Sequence, residues 1–135
     1  MVGHGTRNGL LTKDWESFII NDENASYLQG KDNLYIWCWA NYYVERNNLK
    51  GYSTGMFISE KEEAAFCEVD EENIEQIIEN SNNKFAQLVG ENLLKPTNEI
   101  FKIVSENYYK SNPNSKVVKY NCDLMKYFDW LNNYN

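Results

Sequence analysis

An α/β fold, with a small, mostly parallel sheet flanked by helices and a helix-rich carboxyl half, is what three features of this 135-residue sequence predict. Residues 34–39, Leu-Tyr-Ile-Trp-Cys-Trp, form a continuous apolar run bounded by polar residues, as a strand covered on both faces does. A second strand over 52–58 follows after a stretch long enough for one short helix, which makes a βαβ unit with a right-handed crossover. Beyond residue 70 the apolar residues recur at helical spacing.

Taken in order, Met1-Val2-Gly3 reads as the end of a strand. The loop Gly3-His4-Gly5-Thr6-Arg7-Asn8-Gly9 follows, with three glycines that allow positive φ. Residues 15–20 are apolar enough for a short strand. Asn21 caps a short helix over 22–28 that Gly30 stops. After the 34–39 strand, residues 41–48 form a two-turn helix closed by Gly51, and Ser59 caps a helix that begins at Glu60. Ile74, Ile77, Ile78, Phe85, Leu88 and Val89 share one helix face, with Asp70 as the cap and Gly90 or residues 80–83 as an interruption. Pro96 opens the next helix, whose buried stripe is Ile100, Phe101, Val104 and Tyr108, and Asn112-Pro113 ends it. Residues 116–120 read as a late strand. Leu124, Met125, Phe128 and Leu131 read as a final amphipathic segment.

Composition fits one domain spanning 1–135, large enough for a real core. Apolar residues make up 42% and aromatics 15%, which excludes a disordered chain. Thirteen basic against 20 acidic residues give a net charge of −7, so phosphate and nucleic-acid binding have no electrostatic support. Three irregularly spaced cysteines make no disulfide framework, and with one histidine they make no zinc site either. No nucleotide or serine-hydrolase motif is present, so no cofactor or metal is expected. No signal peptide and no membrane-length apolar run is visible, and the expected location is a reducing cytoplasm without membrane association.

His4 and Cys38 stand out. Each follows an apolar strand, and residues just past the carboxyl ends of neighbouring parallel strands converge on one crevice. A thiol is a strong nucleophile as thiolate, and an imidazole within hydrogen-bond reach can take its proton. Cys38 is otherwise an inert buried thiol, with Trp37 and Trp39 on the opposite face by strand alternation. Ser59 and Glu60 reach the same rim. Glu60 either reads a basic side chain or complements a helix dipole. Asn41 either orients the imidazole or caps a helix. Glu62-Glu63 and Glu71-Glu72 read as solvated surface.

Val2-Gly3-His4-Gly5 and Tyr35-Ile36-Trp37-Cys38 resemble the caspase-like cysteine peptidases, the fold of caspases, clostripain and gingipains. There a His-Gly pair follows one core strand and the catalytic Cys follows its neighbour. The resemblance covers residues 4–60. It implies a Cys38–His4 dyad attacking a peptide carbonyl, an oxyanion held by backbone N–H groups near Gly5 and Cys38, and substrate contacts from Gly5, Asn41, Ser59 and Glu60. Two departures accompany it. Trp39-Ala40-Asn41 stands where the family has a small or polar residue and then Gly, and a large indole there would crowd the oxyanion hole. The chain also begins within the His-Gly strand, as a truncated or reduced member would. An edge left open in this way needs cover from another segment or a second copy of the chain. Two functions are therefore expected: a cysteine peptidase acting on peptide or protein, or a catalytically silent binding protein on the same scaffold, such as a phage or mobile-element inhibitor or adaptor.

Overall fold

Among the described residues, parallel pairing is confined to residues 32–35 with 50–53 and to a single bridge between Val2 and Ile36. In the computed structural model, which describes residues 1–130, the elements run β1 (Gly5–Thr6), β2 (Gly9–Leu11), β3 (Phe18–Ile20), a 3-10 helix (Asp22–Leu28), β4 (Asp32–Tyr35), α1 (Ala40–Arg46), β5 (Lys50–Ser53), α2 (Lys61–Phe66), α3 (Ile74–Glu91), α4 (Thr97–Ser111), α5 (Lys116–Asp123) and β6 (Lys126–Phe128). The fold is α/β, with helices filling the carboxyl half. The expectation of a mostly parallel sheet is corrected. β4 and β5 pair in parallel, β6 pairs antiparallel to β5, and β1–β2–β3 form a separate antiparallel sheet.

At the other side of β4, Val2 makes a parallel bridge with Ile36. Gly3 N–H donates to Ile36 C=O and Ile36 N–H to Met1 C=O, while the terminal ammonium donates to Leu34 C=O. Met1-Val2-Gly3 thus lies beside β4 as a strand end, in the direction expected of it.

Several boundaries differ for identifiable reasons. Asn21 does cap, accepting from Glu23 N–H while its own N–H donates to Asn24 Oδ1, but the helix it opens is 3-10. Gly51 does not close α1. It lies inside β5 at φ 143°, where a Cβ would stand 1.9 Å from the Asn33 carbonyl oxygen. The β5 strand stops at Ser53 rather than continuing to 58. Past it, Ile58 N–H donates to Asn121 Oδ1 and Ile58 C=O accepts from Asn121 Nδ2, so a side chain substitutes for a neighbouring strand. Helix α3 runs through 80–83 and Gly90 without interruption and begins after Asn73, not Asp70.

Residues 116–120 form a helix instead of a strand. The β-branched Val117 and Val118 favour extended backbone locally, but Ser115 Oγ accepts from Val118 N–H and the remote Glu71 carboxylate accepts from Lys116 N–H, Val117 N–H and Ser115 Oγ. Four donors at the helix start are thereby satisfied by oxygen acceptors. In the same way the Asp32 carboxylate accepts from Thr97 N–H and the Thr97 hydroxyl at the start of α4. In the final amphipathic segment, Phe128 lies in β6 and Leu131 lies outside the described residues.

Glu71 makes stability depend on acid. Burial alone would raise its carboxyl, but the Ser115 hydroxyl and the Val117 and Lys116 N–H groups outweigh that and hold it below its ordinary 4.5. A lower folded value means that the contribution is complete above the unfolded value and disappears as pH falls through the folded one. Glu71→Ala is expected to cost about 1 kcal/mol at pH 7, and less at pH 3, in paired urea titrations. An equal loss at both pH values would show that the carboxylate charge is not what holds α5.

The largest core packs β5 against α3, α4 and α5 through Tyr52, Phe85, Ile100, Val104, Tyr108 and Val118. A second core joins β2, β4 and α1 through Leu10, Tyr35, Trp37, Tyr43 and Val44. No helix among the described residues is long and apolar enough to cross a membrane.

Candidate functional site

Cys38 sits in the turn between β4 and α1, and Thr54 holds that turn. Thr54 N–H donates to Tyr35 C=O, Thr54 Oγ donates to Trp37 C=O, and Thr54 C=O accepts from Asn41 N–H. Trp39 then takes the left-handed region at φ 67°, ψ 22°, a strained conformation for a bulky residue, and this swings the chain out of the sheet into α1. Its indole packs against Tyr42 and under the Arg7 guanidinium, 5.1 Å from the ring centre, and is not part of the cleft wall. Trp37 is buried and donates from Nε1 to Thr6 C=O.

A cleft of about 530 Å³ opens above the ends of the parallel segments. His4 and Cys38 both line it. Ile36, Phe57, Phe85, Val89 and Leu93 give it mostly apolar walls, and Ser59, Glu63 and Asn82 form its polar portion. The topology therefore brings His4 and Cys38 to one crevice, as parallel strand ends should.

Their local partners are separate. The Cys38 thiol lies 3.6 Å from Phe57 C=O and 3.7 Å from Glu63 Oε2. Burial, and then the facing Glu63 carboxylate, push it up to about 11, so it is a neutral donor at pH 7. The exposed His4 ring packs against Trp15 with centroids 4.8 Å apart. Among the described residues, no hydrogen bond joins His4 to Cys38.

The other candidate positions divide. Ser59 lines the cleft, and its N–H and Oγ donate to Glu63 Oε1 at 3.0 and 2.7 Å while its carbonyl accepts from Asn82 Nδ2. It does not cap α2. Glu60 precedes α2 with an exposed side chain outside the cleft lining. Gly5 sits in β1, where a Cβ would come 2.3 Å from the Trp37 ring, so its role is close packing. Asn41 is buried in the first turn of α1, with its Oδ1 unpartnered.

Glu63 and Asn82 are the site residues that sequence reasoning missed. Glu63, expected on the solvated surface, is half-buried against the thiol. The available signal was a serine followed by glutamates one turn later, but capping-box spacing from Ser59 points to Glu62, not to Glu63. Asn82 is brought in by tertiary packing of α3. Among the described residues no three His, Cys, Asp or Glu side chains converge as a metal site requires. Comparison with protein-family models, with curated proteins and with solved structures gave no match.

Proposed function

We propose that this chain is a peptide- or protein-binding domain of the caspase-like type, whose cleft at the strand ends receives an extended polypeptide segment and whose thiol does not act as a nucleophile. One observation carries this reading: Cys38 faces a carboxylate and a backbone carbonyl rather than an imidazole. Burial and the Glu63 carboxylate favour S–H over S⁻ and outweigh the opposite pull of the Phe57 backbone, the reverse of what an attacking thiol needs. An apolar cleft with a few placed polar groups is the ordinary form of a binding site. An inhibitor or adaptor that sequesters a partner needs nothing more.

The proposal is tested with an immobilised random heptapeptide library. Enriched peptides should bind the Cys38→Ser protein as well as the wild type and fail to bind Ala86→Trp, which puts an indole into the cleft from an exposed position on α3. Loss of binding in Cys38→Ser with Ala86→Trp unaffected would overturn it.

A cysteine peptidase is the second reading, and the specific observation in its favour is that His4 and Cys38 line one cleft beyond adjacent parallel segments. Iodoacetamide separates the two. For the binding protein, Cys38 alkylates at pH 7.5 more slowly than an unhindered thiol, gains about tenfold per pH unit towards 11, and is indifferent to His4→Ala. For the peptidase, Cys38 reacts faster than Cys67 and Cys122, and His4→Ala slows it.

A further inference from the structure

We propose that the outer surface of α2 and the start of α3 docks a lysine- or arginine-rich amphipathic helix of a partner protein. This site is separate from the peptide cleft, and no residue lines both. A second groove, of about 410 Å³, lies between α2 and residues 68–74. Its floor is apolar. Ala64, Val69 and Ile74 belong to a further core around Ile58, Ile78 and Val117, yet Val69 and Ile74 are only half-covered there. At the end of α2, next to groove-lining Ala65, Phe66 stands 79% exposed. The half-covered floor and the exposed ring leave apolar area in water, which the side chains of a partner would cover.

Charge decides what kind of partner fits. Nine of the 20 acidic residues but one of the 13 basic residues fall within 60–79, so this stretch holds the whole excess of negative charge. Some of these carboxylates have work inside the fold: Glu63 accepts from Ser59, Glu71 from the start of α5, and Glu75 pairs with Lys61. Lys61 is the one cation lining the groove, and Glu75 neutralises it. Glu62, Glu68, Asp70 and Glu72 are exposed and take part in no ion pair among the described residues. Such a rim repels nucleic acid, an anionic membrane and the same face of a second copy, and it attracts a cationic protein surface. A basic amphipathic helix meets both demands. Its aliphatic stripe enters the groove, its flanking ammonium or guanidinium groups meet the free carboxylates, and a guanidinium stacks on an exposed ring such as Phe66.

Isothermal titration calorimetry with an N-acetylated, amidated model helix tests this, the probe being the heptad Leu-Lys-Lys-Leu-Leu-Lys-Leu written twice. A scrambled peptide of the same composition lacks the apolar stripe and is expected to bind at least about tenfold more weakly, because it keeps the charge but cannot fill the groove. The double variant Glu68→Gln, Asp70→Asn should weaken the amphipathic peptide about tenfold, and Phe66→Ala should weaken it several-fold. Glu99→Gln with Glu106→Gln, which removes the same charge from α4, should leave it within about twofold. Ala86→Trp, which fills the strand-end cleft, should leave it unchanged. Equal binding of the scrambled peptide, or equal losses from the two charge pairs, would reduce the attraction to net charge and overturn the docking surface. Absence of binding, or its loss in Ala86→Trp, would overturn it as well. Failure of the heptapeptide library to enrich any ligand would remove the cleft reading and leave this surface standing.

Discussion

Gly51→Ala is expected to lower folding stability by about 4 kcal/mol, among the largest effects of any single methyl group in this chain. The new Cβ would lie 1.9 Å from the Asn33 carbonyl oxygen and 2.9 Å from its carbon, both in the backbone of the neighbouring parallel strand. Gly51 and Asn33 are direct partners in the β4–β5 ladder, so relief requires the two strands to separate at this pair. The φ of 143° adds strain for any L side chain. Urea denaturation followed by tryptophan fluorescence measures the loss. Gly90→Ala is the control. Its Cβ would meet nothing within 4 Å inside α3, and the change should stabilise by about 0.5 kcal/mol. A loss below 1 kcal/mol for Gly51→Ala would mean that the strands can part without consequence, and that the parallel pair does not set the cleft.

Asn121→Ala should cost about 3 kcal/mol, because it strands several buried groups at once. Asn121 is 1% exposed. Its amide satisfies both Ile58 N–H and Ile58 C=O, and its Nδ2 also donates to Tyr108 OH, which is itself 2.6 Å from Ser81 Oγ. Cavity formation explains part of the cost and unpaired backbone explains the remainder. Asn121→Asp separates these contributions: it keeps the volume and the acceptor for Ile58 N–H, but turns an oxygen towards Ile58 C=O. It should be at least as damaging as the alanine. The segment that Asn121 braces also carries Phe57 and Ser59 into the cleft, so peptide affinity should fall in parallel with stability. Near-wild-type stability in the aspartate variant would show that water can take over the role of Nδ2.

How far the sequence revealed this arrangement depends on the range of the determining interactions. Helices α3 and α4 were legible because their apolar stripes are local and long. The neighbouring emergence of His4 and Cys38 was legible because apolar runs followed by turn residues mark strand ends. The 116–120 segment was misread because Val117 and Val118 speak for extended backbone, while the carboxylate that makes them helical comes from Glu71, more than forty residues earlier. The stop of β5 at Ser53 depends on Asn121 in the same fashion. Glycine-rich residues 3–9 were read as a loop, but β1 and β2 are short enough that their pairing is decided by contact with Trp37 and β3, not by alternation. Glu63 and Asn82 entered the cleft through helix packing, for which a single sequence carries no periodic signal.

The carboxylates at the starts of α4 and α5 have a further consequence for assembly of the chain. Each belongs to a segment far upstream, Asp32 in β4 and Glu71 before α3, so neither helix carries its own complete N-terminal lock. A fragment covering 97–123 would lose both and should fray from its leading turns, although the same residues are regular helix in the intact protein. Adding the missing amino-terminal fragment in trans should restore helicity together with the sheet, in one concerted step.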